Sequence, residues 1–120
     1  MEGGNFGTVS HEYFPVFNTV ILSGRCIKNI NKDDERDYKV TPSGLMICNQ
    51  SLSVNTGRNQ SDIFNFYAIN NMEDRNKLAE LLKNFTRKGV GLTVQGRLLT
   101  DEWKDKMTGQ GRSQTKIQLI

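Results

Sequence analysis

One histidine, two cysteines and thirteen acidic residues are the groups from which this 120-residue chain would have to build an active site. His11 stands in a Gly-rich leader, far from any candidate nucleophile, so neither a Ser-His-Asp nor a Cys-His arrangement is in prospect. Cys26 and Cys48 lack CxxC spacing, and a zinc site needs about four ligands, so they read as buried, reduced thiols. Asp33, Asp34, Glu35 and Asp37 interleave with Lys32, Arg36 and Lys39, the pattern of a solvated charged loop and not of a divalent-metal cluster. A GxxxxGK[ST] phosphate loop is absent. The expectation is a binding protein, with no catalysis, no metal and no cofactor.

The aromatic and basic residues suggest what is bound. Single strands of nucleic acid need flat faces on which bases stack, with cations spaced along the backbone path. Trp103, the only tryptophan, lies among Asp101, Glu102, Lys104, Asp105 and Lys106; a tryptophan among charges is at least partly exposed. In the run Asp62–Asn70 (DIFNFYAIN), alternation makes Phe64, Phe66 and Ala68 an apolar face suited to a core. Ile63, Asn65, Tyr67 and Ile69 then form a mixed face suited to binding. A core tyrosine with a satisfied hydroxyl is the competing reading of Tyr67. Arg58, Lys104, Lys106 and Arg112 fall in two loop regions able to reach phosphates, and Lys77, Lys88 and Arg97 extend the track.

The elements that position these residues follow from period and turn chemistry. Asn18–Ile27 is β-rich, with Gly24 inside it as a bend. A charged loop with a short strand near Tyr38 leads to the turn Thr41-Pro42-Ser43-Gly44. Leu45–Asn55 is the second long strand, Thr56–Ser61 a hairpin loop and Asp62–Asn70 the third. Between Asn71 and Lys88, the stripe Leu78, Leu81, Leu82, Phe85 predicts a helix with Asn71 as N-cap and Gly89 just past its end. Val90–Leu99 and Trp103–Ile120, the latter broken by a hairpin at 106–111, complete the chain. A mainly all-β chain of five strands, with one helix between the third and fourth, has the order of an OB-fold barrel.

Length permits one domain: a flexible extension over residues 1–17, then a barrel over 18–120. Net charge is +3, and the excess lies in residues 61–120, which carry ten basic against seven acidic side chains. That bias is compatible with a polyanion partner. No run approaches the roughly 18 apolar residues of a membrane span, and Met1–Phe17 lacks the regions of a secretory signal. A cytoplasmic protein is expected.

In order along the chain, Asn18-x-Val20-x-Leu22-x-Gly24-Arg25, Thr41-Pro42-Ser43-Gly44, Ser51–Asn55, Asp62–Asn65, Lys77–Glu80, Arg87-Lys88-Gly89, Gly96-Arg97-Leu98, Trp103, Gly109 and Arg112 resemble the bacterial and phage single-stranded DNA-binding protein family. The resemblance covers residues 18–120. It implies an OB-fold, dimers through the first strand that pair into tetramers, and sequence-tolerant binding to single-stranded DNA in replication, recombination or repair. It also implies stacking aromatics at four places. Trp103 matches one; Arg58 stands near another, and Ile63 and Ile69 occupy the remaining two. A register one residue over would instead place Phe64 at a stacking position. Leu99 and Asp101 replace residues that are often basic. Many members carry a tail with an acidic, hydrophobic tip that recruits replication enzymes. This sequence reads either as a tail-less short form or as a chain whose tail has been removed, from a bacterial cell or a phage-infected host, with recombinase or replication proteins as further partners the resemblance implies. A replication-restart or RNA-binding adaptor on the same barrel is the alternative.

Overall fold

Half-buried and exposed positions alternate along Val20–Arg25 up to the buried Cys26, and this β-rich segment, Val20–Cys26, forms the first strand, β1. The remaining elements are β2 (Tyr38–Val40), β3 (Leu45–Gly57), β4 (Gln60–Asn71), α1 (Leu78–Phe85), β5 (Gly91–Lys104) and β6 (Gly111–Leu119). The computed structural model describes residues 17–120. His11, Tyr13, Phe14 and the rest of the expected extension, apart from Phe17, lie outside the described residues.

The sheet runs β1-β5-β6-β4-β3, and β3 returns to β1 through Arg25–Ser53 and Cys26–Leu52, closing a five-stranded ring. β2 pairs with β3 outside that ring. All pairings are antiparallel except β4 with β6, which run parallel at Phe66–Ile117 and Tyr67–Gln118. The five expected long strands, the short strand near Tyr38 and the helix between the third and fourth long strands are all present. Two glycines permit the closure. A Cβ on Gly24 would lie 2.3 Å from the Ser53 carbonyl oxygen, and one on Gly96 would lie 2.5 Å from that of Gln118. Only a residue without a side chain admits backbone so close.

Inside the ring sit Leu52, Phe66, Ala68, Val94, Ile117 and Leu119, with Phe64 and Leu22 packed against them. Cys26 and Cys48 are buried free thiols, and burial pushes Cys48 up to about 11. Such a thiol stays protonated, and unreactive, at neutral pH.

The helix is shorter than its stripe predicts. It starts after Lys77, not at Asn71, because Asn71 still belongs to β4 and closes a turn with Asp74. Its orphan Ala79 N–H is satisfied from the sheet, by Asn70 Oδ1 at 2.8 Å. At the other end Thr86 turns extended, its hydroxyl donating to the Leu82 carbonyl and accepting from the buried Gln50 amide. Gly89 therefore does not end the helix. It sits in the following turn with φ +94°, where the Val90 N–H donates to the Arg87 carbonyl. Nor is the stripe one buried face: Ala79 and Leu82 point inward, whereas Leu81 and Phe85 are exposed, Phe85 by 70%.

The last two strands also differ from expectation. β5 does not stop at Leu99 but continues to Lys104, and the second begins at Gly111. Thr100, Asp101 and Glu102 are polar because this part of β5 leaves the barrel as a two-stranded finger with solvent on both faces.

Candidate nucleic-acid interface

β4 and β6 are parallel, and each begins at a hairpin tip, so the β3–β4 and β5–β6 hairpins project in the same direction. Their outer faces border a groove of about 630 Å³, lined by Ile63, Asn65 and Tyr67 from β4 and by Gln114 and Lys116 from β6. The alternation holds. Phe64, Phe66 and Ala68 face the core, and Ile63, Asn65, Tyr67 and Ile69 face outward. Phe64 is thus packed inward, which selects the register that puts Ile63 and Ile69 outside. Ser51 Oγ, across the ladder from Asn65, donates to the Asn65 side-chain oxygen.

Pairing registers align Asn49, Tyr67, Gln118 and Arg97 in one row across four strands. Arg97 Nη2 donates to Gln118 Oε1 at 3.3 Å. Six residues further along β5, on the same face, stands Trp103, opposite Arg112 and 47% exposed. At about 3.3 Å per residue, the indole lies roughly 20 Å out along the finger from the Tyr67 row.

The finger tip is held by Asp105, whose carboxylate accepts from the Met107 and Thr108 N–H groups at 2.8 and 3.3 Å and from Arg112 Nη2 at 3.2 Å. These bonds, the backbone ones foremost, keep its carboxyl below the usual range. Gly109 takes φ +71° to complete the turn. Lys104 and Lys106 are exposed on either side of Asp105. Arg58 occupies the two-residue turn of the other finger with Asn59, whose φ is +58°.

Sequence-predicted residues therefore divide into two groups. Ile63, Asn65, Tyr67, Arg97, Trp103 and Arg112 share the outer surface of β4–β6–β5, with Ile69 further along β4; Lys104, on the opposite face of the finger, and Lys106, in its turn, stand at the tip, and Arg58 at the neighbouring tip. Lys77 and Lys88 are not with them. They flank α1 at the barrel end where β5 begins, about 40 Å of strand away from Trp103. Reading by loops misses Lys116, Gln114 and Lys28, all of which line the groove. The signal for the first two was present: Arg112, Gln114, Lys116 and Gln118 alternate with Ile117 and Leu119 along β6.

Beside the groove, Lys28 Nζ lies 2.7 Å from the Asp37 carboxylate. Burial works to raise the Asp37 carboxyl, but Lys28 and the Asn31 N–H outweigh it and hold the group below its ordinary value. Among the described residues, no three His, Cys, Asp or Glu side chains come together as a metal site. No helix there is long and apolar enough to cross a membrane.

The chain is 33% identical over 102 residues to a protein of Nostoc sp. named Single-stranded DNA-binding protein 1, covering 85% of this chain and 77% of that one. It is 31% identical over 101 residues to the Single-stranded DNA-binding protein of Borreliella burgdorferi, covering 83% and 64%. A solved structure titled Plasmodium falciparum SSB complex with ssDNA superposes with a TM-score of 0.70 over 90% of both chains, at 23% identity, and so shares the fold. The model of the Single-strand binding protein family matches residues 17–119. With that match over nearly all of a five-stranded ring whose outer face carries the groove and the indole, the chain belongs to the single-strand binding protein family.

Proposed function

We propose that this protein binds single-stranded DNA without sequence preference and shields it during replication, recombination or repair. The observation that carries the reading is the half-exposed Trp103 on a basic finger beside the groove of Ile63, Asn65 and Tyr67. Bases stack on the indole, since every base has a π-face. Arg58, Lys104, Lys106 and Arg112 contact phosphates, with Arg97 in the Tyr67 row. The names of the relatives support the same partner. β1 of one copy pairs with β1 of another, because residues Val20–Gly24 carry a ladder to β5 on one edge only among the described residues.

Titration of Trp103 fluorescence with poly-dT, poly-U and duplex DNA tests the reading. Saturable quenching by poly-dT, with far weaker binding of duplex, is the expected result. Equal binding of duplex overturns it, and a preference for poly-U redirects it to an RNA-binding role.

A further inference from the structure

Several cations of this surface are already occupied. Lys116 Nζ lies 2.6 Å from the Asp101 carboxylate, Arg112 Nη2 lies 3.2 Å from Asp105, and Lys28 Nζ lies 2.7 Å from Asp37. The three pairs come from the β5–β6 finger, its turn, and the loop after β1, and Lys28 and Lys116 both line the groove. Asp101 and Lys116 are diagonal neighbours on the outer face, since Asp101 pairs with Gln114. Their side chains are 51% and 42% exposed, so the pair is open to solvent and to any approaching phosphate.

We propose that Asp37, Asp101 and Asp105 stand in for backbone phosphate, holding interface cations until a bound strand displaces them, so that stacking rather than charge decides what binds. This rests on the single-strand reading above and adds a discriminating device to that site. The Asp101–Lys116 pair is exposed on both sides and therefore weak, so phosphate can displace its carboxylate; the Arg112–Asp105 and Lys28–Asp37 pairs are more buried at the carboxylate and yield less readily. The displaced carboxylate then recovers its own hydration and counterions, so each exchange releases less counterion than a free cation would. Duplex DNA suffers most. It offers dense phosphates but no unstacked base faces, and its non-specific binding is essentially all electrostatic. A surface with these three cations also free would hold duplex more tightly.

Asp37 and Asp105 also hold backbone N–H groups of their loops, so Asp101, in mid-strand, is the place to test. The measurement is anisotropy of labelled oligo-dT and of labelled duplex, across a salt series, for the wild type, Asp101→Asn, Lys116→Gln, the double variant and Trp103→Ala. Asp101→Asn is expected to bind oligo-dT about 2- to 5-fold tighter at low salt. Its log–log salt slope should steepen by about 0.7. Duplex binding should rise by a larger factor, narrowing the preference for single strands. Adding Lys116→Gln should abolish the gain. An unchanged affinity and slope for Asp101→Asn, with Trp103→Ala still weakened, overturns this proposal and leaves the single-strand face standing. A gain that survives Lys116→Gln also overturns it, because the effect then does not pass through the pair. If Trp103→Ala binds normally, the face itself is wrong and the proposal falls with it.

Discussion

Trp103 keeps about half of its surface in solvent between two charged neighbours, Glu102 and Lys104, on a strand segment outside the barrel. The contact it offers is therefore to a ligand more than to the core. A stacked base is worth roughly 1–3 kcal/mol. Trp103→Ala should then weaken oligo-dT binding by about 5- to 150-fold, read by anisotropy because the variant has no tryptophan left to report. Its melting midpoint should stay near the wild-type value, and Trp103→Phe should restore much of the affinity. A Trp103→Ala protein that unfolds would show the indole to be a hairpin anchor. At this scale the sequence was informative for isolated exposed groups and poor for partners. Charged neighbours marked Trp103 as accessible, but no local pattern ties Asp101 to Lys116, fifteen positions later, without the β5–β6 register.

β1 can cross β3 only because position 24 has no side chain. Gly24→Ala would set a methyl against the Ser53 carbonyl, and the obstructing atom is backbone, which cannot swing aside. Overpacking of this kind costs about 1–3 kcal/mol, so the urea midpoint should fall with little change in slope. A wild-type midpoint would mean that the strands part at no cost there. The helix shows the opposite relation between sequence and element. Its stripe is visible locally, yet its start is capped by Asn70, a side chain of the sheet, and its end by Thr86, whose hydroxyl bonds the Leu82 carbonyl and is held in place by the Gln50 amide. A cap from the sheet at one end and a threonine held by the sheet at the other leave no mark at the usual flanking positions, which is why Asn71 and Gly89 look like the ends and are not.

For the whole molecule, ring closure leaves one edge of Val20–Gly24 without a ladder among the described residues, with Ile21 exposed beside it. An open edge next to an apolar side chain favours pairing with its twin, and a two-fold arrangement satisfies both copies at once. Light scattering should give a mass that is a multiple of 13.6 kDa at micromolar concentration; a monomer alone would refute assembly through β1. The same measurement fixes the subunit count needed to interpret binding. Four finger and loop cations, one of them engaged by Asp105, imply a log–log salt slope of about −2 to −3 per subunit on single strands. A slope near zero would mean that the fingers do not touch phosphate.

By itself the sequence determined the order of strands and helix, the two faces of β4 and the turn at Thr41–Gly44, because period and turn geometry depend on near neighbours. It also marked the exposed tryptophan and most of the cations that share its surface. Only the tertiary structure decided that β5 runs unbroken past Leu99, that β4 and β6 lie parallel, and that both fingers therefore flank one groove. It alone separated Lys77 and Lys88 from that groove and joined Lys116 to Asp101. These are choices among long-range pairings. They are made by closing the ring over a shared core, and the residues that meet there lie too far apart in the chain for any local pattern to record them.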